Sequence, residues 1–394
     1  MKIGIDISAL SEKLNGVARA TACRVESLLR ENTRDEYLLF SPFSGSRSLN
    51  GAAGSFQSPR VQISYWKGPC ALLARLLGHL PLSLRKQGWC PEAVVFSRSL
   101  RAQLGHLDVF HFDSFFWDHR PGQGILTVHD ITPLLFPQFH NRYTLFWHER
   151  KLRFMQQMRP RVLADSKNTR DDLVKHCGIP SDRIQVVYNG CNHAHYRVLP
   201  TDRVARVLQR YHLKPGYILH VGTLEPRKNI ERLIGAFEIL VQKMGRSKEQ
   251  LVLVGSKGWL CEKIYRRLEN SPRKGQIVWC GYVPEEDLPY LYNGAAFLVY
   301  PSLYEGFGLP VIEAMACGVP VITSGVSSLP EVAGGAGVLV DPYDTQALAA
   351  AMHRLLIDPD QRAKLAVKGI RRAGDFSWEK MARQILSLYE EAAS

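Results

Sequence analysis

Residues 299–323 read VYPSLYEGFGLPVIEAMACGVPVIT, and the order of residue types sets a strand, a loop and a helix in a row. The apolar run closing at Tyr300 reads as a buried strand. Glu305 and Glu313 follow, eight positions apart, bridging the glycine-bearing loop Gly306-Phe307-Gly308-Leu309 and the start of a helix. Pro310 suits the first helical position, where its missing N–H costs nothing and its φ is already helical. Gly318 stands where a left-handed residue ends such a helix. The loop therefore delivers bare backbone N–H groups to a helix N-terminus, which is an anion site. Glu313 lies one turn inside that helix and Glu305 just ahead of the loop. An anion cradle flanked by two hydrogen-bond acceptors suits a ligand with phosphates and two sets of hydroxyls, as a nucleotide sugar has.

A second motif lies upstream, HVGTLEPRKNIERL at 220–233. A strand ends at Gly222, a short loop follows, and Arg227 and Lys228 stand immediately before a helix that Asn229 is expected to cap. Ile230, Leu233, Ile234, Phe237, Leu240 and Val241 give that helix one apolar face. Two cations and a helix N-terminus converge where a diphosphate would lie at the carboxyl edge of a parallel sheet. Arginine grips phosphate oxygens with two N–H groups, and lysine acts as a point charge.

The run E-G-F-G-L-P-V-I-E-A-M-A-C-G-V-P-V resembles the E-x7-E signature of the retaining glycosyltransferases of family 4. That resemblance covers nearly the whole chain, is strongest over 217–343, and points to bacterial mannosyl- and rhamnosyltransferases of O-antigen or exopolysaccharide synthesis. It implies an α/β chain of GT-B architecture: two Rossmann-like domains facing across a cleft, 1–200 for the acceptor and 201–375 for the donor, with 376–394 returning to the first. It further implies that Glu305 holds sugar hydroxyls, Glu313 the ribose hydroxyls, and Arg227 and Lys228 the donor diphosphate, whose charge they neutralise as it leaves. His129, in ILTVHDITP, matches a histidine that touches the donor sugar near the reacting carbon; Asp130 beside it reads as structural. Gly16 belongs to the loop Ser11–Arg19, where many members carry a double glycine and this chain has Asn15-Gly16. Gly222, Phe307, Gly308 and Leu309 complete the donor-binding set, and Tyr282 and Val283 in CGYVPEED would border the base. The donor would be a nucleotide sugar, GDP-mannose first and a dTDP- or UDP-sugar as the alternative, and the acceptor a saccharide or lipid-linked saccharide. The departing phosphate oxygen would take the acceptor proton on the same face. His111 and Asp113 in FHFDSFF either line the acceptor side or belong to the core.

Both halves alternate apolar runs with helical patterns, as parallel α/β sheets do. Strands are expected at 2–7, 37–40, 61–64, 109–112, 125–129 and 162–165, then at 217–221, 251–254, 276–280, 297–300, 319–323 and 337–340, with a linker around 199–214. At 394 residues the chain is long enough for two cores. No run of 18 apolar residues occurs, so no membrane span is expected. The N-terminus reads as a first strand and not a signal peptide. Eight scattered cysteines without a C-x-x-C pair suggest reduced thiols and a cytoplasmic location. The only D-x-D is Asp358-Pro359-Asp360, which reads as a turn, so neither a metal nor another cofactor is expected. No G-x-G-x-x-G leads from a strand into a helix, which weakens a nicotinamide reading.

The formal charge of +13 is uneven: residues 1–200 carry 26 Lys and Arg against 16 Asp and Glu, residues 201–394 carry 24 against 21. A basic first half favours acidic partners such as anionic lipid, nucleic acid or phosphorylated substrates. Trp66–Trp89, with its leucine stripe and Arg85-Lys86, is one candidate for docking on the inner face of the cytoplasmic membrane, and Arg142–Arg161 is another. Rival readings are a nucleotide-sugar epimerase and a non-catalytic basic RNA- or lipid-binding protein on the same scaffold. The intact Arg227, Lys228, Glu305 and Glu313 set argues against the second, and nucleic acid is not expected as a partner.

Overall fold

The computed structural model describes residues 1–11, 16–41, 56, 58–65, 106–113, 124–245 and 248–394. Trp66–Trp89 and residues 12–15 of the glycine loop lie outside them. Strands β1 (Lys2–Asp6), β2 (Glu36–Ser41), β3 (Val61–Tyr65), β4 (Val109–Phe112), β5 (Gly124–Val128), β6 (Arg161–Ala164) and β7 (Ile184–Val186) form one parallel sheet in the order 3-2-1-4-5-6-7. Strands β8 (Tyr217–Val221), β9 (Leu251–Val254), β10 (Ile277–Gly281), β11 (Ala295–Tyr300), β12 (Val321–Ser324) and β13 (Val338–Val340) form a second, also parallel, in the order 10-9-8-11-12-13. The central strands of both are apolar almost throughout because each sheet is covered on both faces.

In each sheet the order reverses beside the first strand, between β1 and β4 and between β8 and β11. Such a reversal opens a crevice at the carboxyl ends of the strands, and ligands of doubly wound sheets bind there. The two carboxyl edges meet. A Cβ on Gly306, beyond β11, would stand 2.0 Å from the carbonyl oxygen of His129, beyond β5. Only glycine allows that approach.

Two further ties cross between the units. Glu331 accepts from the amides of Lys167 (3.1 Å) and Asn168 (3.0 Å) and from the Tyr188 hydroxyl (2.9 Å). Its carboxylate thus faces the positive end of the Lys167–Cys177 helix. The Trp259 indole donates to the Phe139 carbonyl oxygen at 2.6 Å. The helix Trp378–Ala393 then crosses back and packs on the helix Gly16–Glu31, where Trp378, Met381, Ile385, Leu388 and Tyr389 join Ile3, Ile5, Val25 and Leu28 in one core.

All twelve expected strands are present with small shifts of their ends, and five local expectations are corrected. β7 was not anticipated: it is three residues long, and Gln185 in its middle is exposed. Asn229 stands at the head of its helix in a left-handed conformation, φ 60°, and caps nothing. Its amide nitrogen instead donates to the carbonyls of Pro301 (3.0 Å) and Pro342 (2.7 Å), stitching two loops from the interior. The stretch read as a linker contains the helix Thr201–Arg210, whose Val204 and Leu208 are buried in the second unit's core. Pro310 is the second residue of the helix Leu309–Ala316, not the first, because Leu309 already has helical geometry. Asp358-Pro359-Asp360, read as a turn, is instead a helix start: Asp358 caps the helix Pro359–Ala373, accepting from the Gln361 amide at 2.8 Å.

Candidate active site

Arg227 and Lys228 occupy a short turn, Pro226–Lys228, just past β8, and Glu305 lies just past β11. The reversal between those strands brings the three together. Arg227 donates through Nη1 to Glu305 Oε2 (2.7 Å) and the Tyr304 carbonyl oxygen (2.9 Å), and through Nη2 to Glu225 Oε1 (2.5 Å). Lys228 Nζ donates to Glu305 Oε1 and to the Tyr300 hydroxyl, both at 2.6 Å. Both oxygens of Glu305 are therefore held by cations. Burial alone would raise the Glu305 pKa, but Arg227 and Lys228 outweigh it and hold the carboxyl at about 2. For Lys228, burial and the neighbouring Arg227 charge push the pKa below its usual value.

The loop after Glu305 is fixed from behind. The Ser328 hydroxyl donates to the carbonyls of Glu305 (2.9 Å) and Phe307 (2.8 Å), and the Glu305 amide donates to Ser327 Oγ (3.1 Å). Those bonds turn carbonyls away from the cleft. Among the described residues, the amides of Phe307, Gly308 and Leu309 have no protein acceptor. The Phe307 ring packs inward against Tyr188 and Phe376, so this residue offers the cleft only its backbone. Gly222 lies beside Lys228, whose Cδ would be 3.6 Å from a Cβ there. Gly16 opens its helix, and a Cβ there would meet nothing within 4 Å among the described residues.

His129 stands across from this cluster on the first unit, its carbonyl oxygen against Gly306. Its Nδ1 is 2.7 Å from Asp165 Oδ2 and its Nε2 is 3.0 Å from Asp113 Oδ1. Ionised carboxylates only accept, so both ring nitrogens carry protons and the ring is an imidazolium. Burial disfavours that charge, yet Asp165 and Asp113 lift the pKa to about 9. Asp113 is itself paired with Arg24 at 2.7 Å and bonded by the Thr21 hydroxyl. Because the folded pKa lies above the ordinary 6.5, the stabilisation from this charge is complete below about pH 6.5 and is lost as pH rises through about 9. Nitrogen-15 NMR of the ring at pH 7.5 is expected to find both nitrogens protonated; a neutral tautomer there would refute the assignment.

His111 is not at the cleft. It is fully buried between the Tyr389 hydroxyl (2.6 Å) and Thr127 Oγ1 (2.7 Å), and burial pushes its pKa down to about 3. Asp113 serves from beneath His129. Asp130 bonds the Thr132 amide at 2.9 Å, a local turn, as its structural reading implied. Tyr282 is 55% exposed beyond β10, whereas Val283 is buried in the core, so Tyr282 alone presents a side chain. Glu313, 3% exposed, accepts from the Tyr292 hydroxyl at 2.8 Å and from Arg19. In the Arg142–Met158 helix, Lys151 points inward to the carbonyls of Thr127 (2.9 Å) and Asp113 (3.2 Å), and Arg150 covers the rings of Phe146 and Trp147. Neither is an outward-facing cation.

Sequence reasoning passed over Glu225, Asp165, Tyr300, Tyr292 and Arg19. Glu225 stood inside the quoted HVGTLEPRKNIERL, two positions before the arginine it binds, and that spacing was the available signal.

Two doubly wound sheets meeting at their carboxyl edges, with paired cations and an open helix N-terminus between them, define a glycosyltransferase of the GT-B class. The family described as "Glycosyl transferases group 1" matches residues 208–372, and "Glycosyltransferase Family 4" matches 71–195. The O-antigen chain mannosyltransferase B of Escherichia coli is 34% identical over 395 residues, covering 99% of this chain and 100% of that protein. The chain belongs to glycosyltransferase family 4. Its fold is shared with sucrose-phosphate synthase from Thermosynechococcus elongatus (TM-score 0.76, 22% identity, all of both chains). It is shared also with Anabaena HepE in complex with UDP and glucose (TM-score 0.75, 18% identity, 99% of this chain and 100% of that one).

Proposed function

We propose that this glycosyltransferase moves mannose from GDP-mannose to a saccharide or lipid-linked saccharide, with retention of anomeric configuration, in cell-surface polysaccharide synthesis. The observation that carries this reading is the convergence of Arg227 and Lys228 with the free amides of Phe307, Gly308 and Leu309 at one helix N-terminus. Fixed dipoles and cations aimed at one point stabilise charge that develops there, and they need no reorganisation to do so. Full-length likeness to a mannosyltransferase supports the choice of sugar. The diphosphate lies on the amides and cations, ribose hydroxyls on Glu313, and sugar hydroxyls share Glu305 with its cations. His129, a fixed cation across the cleft, faces the sugar. The leaving phosphate oxygen takes the acceptor's proton on the face it departs from, so no separate base acts.

Among the described residues no helix is long and apolar enough to cross a membrane. The basic first half supports peripheral docking on the inner face of the cytoplasmic membrane. Incubation with a panel of nucleotide sugars, scored for nucleotide diphosphate released on addition of lipid-linked saccharide, tests the donor. GDP-mannose is expected to turn over; turnover with a dTDP- or UDP-sugar alone would replace it.

No group of three or more His, Cys, Asp or Glu among the described residues is arranged to hold a metal ion. With the two cations acting on the diphosphate, turnover is expected to survive excess EDTA. Loss of turnover that Mg²⁺ or Mn²⁺ restores would overturn the role given to Arg227 and Lys228.

A further inference from the structure

Arg19 belongs to the first unit, on the helix Gly16–Glu31, yet its guanidinium is spent on the second. One arm donates to Glu313 Oε1 and the other to Glu285 Oε2 at 3.0 Å, with the group lying 5.9 Å over the Tyr196 ring. Glu313 Oε2 takes the Tyr292 hydroxyl, and with Arg19 on Oε1 the residue is left 3% exposed, closed off from the cleft by its partners. Ribose hydroxyls reach it only if one partner withdraws. Tyr292 is fully buried in the second unit's core, whereas the Arg19 side chain is 25% exposed and comes from the opposite wall of the cleft. Arg19 is the partner free to leave.

Once displaced, the guanidinium keeps, among the described residues, the Tyr196 ring and one carboxylate, Glu285, which also serves the Tyr196 hydroxyl at 2.6 Å. A partly exposed guanidinium that loses one of two carboxylates is left with donors that a second anion can take up. The incoming ligand brings one. Gly308 is five residues before Glu313, so the helix N-terminus lies roughly 7 Å along the axis, within the sweep of an arginine side chain. There a planar fork can grip two phosphate oxygens at once. We propose that Arg19 is a donor-binding residue that exchanges Glu313 for the diphosphate when ribose takes that carboxylate. The inference rests on the reading of Glu313 as the ribose acceptor.

The test is calorimetric binding to the full-length chain, unsubstituted and as R19A and R19K. GDP, UDP and dTDP are titrated first, and the base that binds judges the proposed donor. Arg19 is then judged by the nucleoside and nucleoside diphosphate of that base, guanosine and GDP in the favoured case. Guanosine must displace Arg19 without supplying a new partner. Removing the competitor raises the binding-competent fraction, so R19A should bind guanosine on the order of tenfold more tightly. The same variant should bind GDP about tenfold more weakly, having lost a charge-assisted contact. R19K keeps the charge and should hold GDP more tightly than R19A does. Should R19A fail to fold, R19K carries the test: tighter guanosine with GDP binding retained supports the exchange, and equal weakening of both overturns it. R19A that weakens both ligands alike, tightens both, or changes neither also overturns it.

Discussion

Replacing Lys228 with Ala is expected to lower kcat by on the order of 10²–10³, with a much smaller rise in donor KM. The ammonium is held in place by Glu305 and Tyr300 before any ligand arrives and is nearly excluded from water. A charge so fixed interacts most strongly with the state in which negative charge on the leaving diphosphate is greatest, so its loss falls on kcat. Arg227→Ala should act the same way, with a larger drop in thermal stability, since Arg227 also holds the Tyr304 carbonyl and Glu225. Steady-state kinetics with the preferred donor decide the matter. A raised KM with unchanged kcat would place Lys228 in ground-state binding only.

The second large effect is a contrast between the two glutamates. Glu305→Gln removes the carboxylate that the two cations share; Arg227 keeps Glu225, but Lys228 is left with a neutral partner in a buried place, an arrangement that costs several kcal/mol when unrelieved. Turnover should fall on the order of 10²–10³. Binding of free nucleoside diphosphate should hold or improve, because the pair of cations has lost one of its two carboxylates. Glu313→Gln, one turn deeper in the helix, should chiefly raise donor KM, since ribose hydroxyls change little as the sugar departs. If Glu313→Gln abolishes turnover at saturating donor while Glu305→Gln merely shifts KM, the two roles are reversed.

The sheets were legible because strands covered on both faces become near-continuous apolar runs, as in ILHV of β8 and LVLV of β9. β7 failed that test by being short and half wetted. The loop and helix from Glu305 to Gly318 were legible because their glycines, proline and acids each have a local reason to stand where they do. What surrounds them was not legible. Arg19 and Glu313 are 294 positions apart, His129 and Asp165 are 36 apart, and such neighbours are made by the packing of whole units. Asn229 shows the limit from the other side: the local rule made it a cap, and two distant prolyl carbonyls claimed its side chain.

The returning helix Trp378–Ala393 also governs the order in which the protein can be made. Ile3, Ile5 and Leu28 leave the ribosome early, but the residues that cover them come after the entire second sheet. At roughly 5–20 residues per second, the wait is on the order of tens of seconds. During that interval the first unit has an uncovered apolar flank, which is the condition that attracts chaperones and aggregation alike. A ribosome halted anywhere within the second sheet leaves the first one unfinished. The first half of the cleft to be synthesised is thus the last to be completed, because its cover is translated after the whole second sheet.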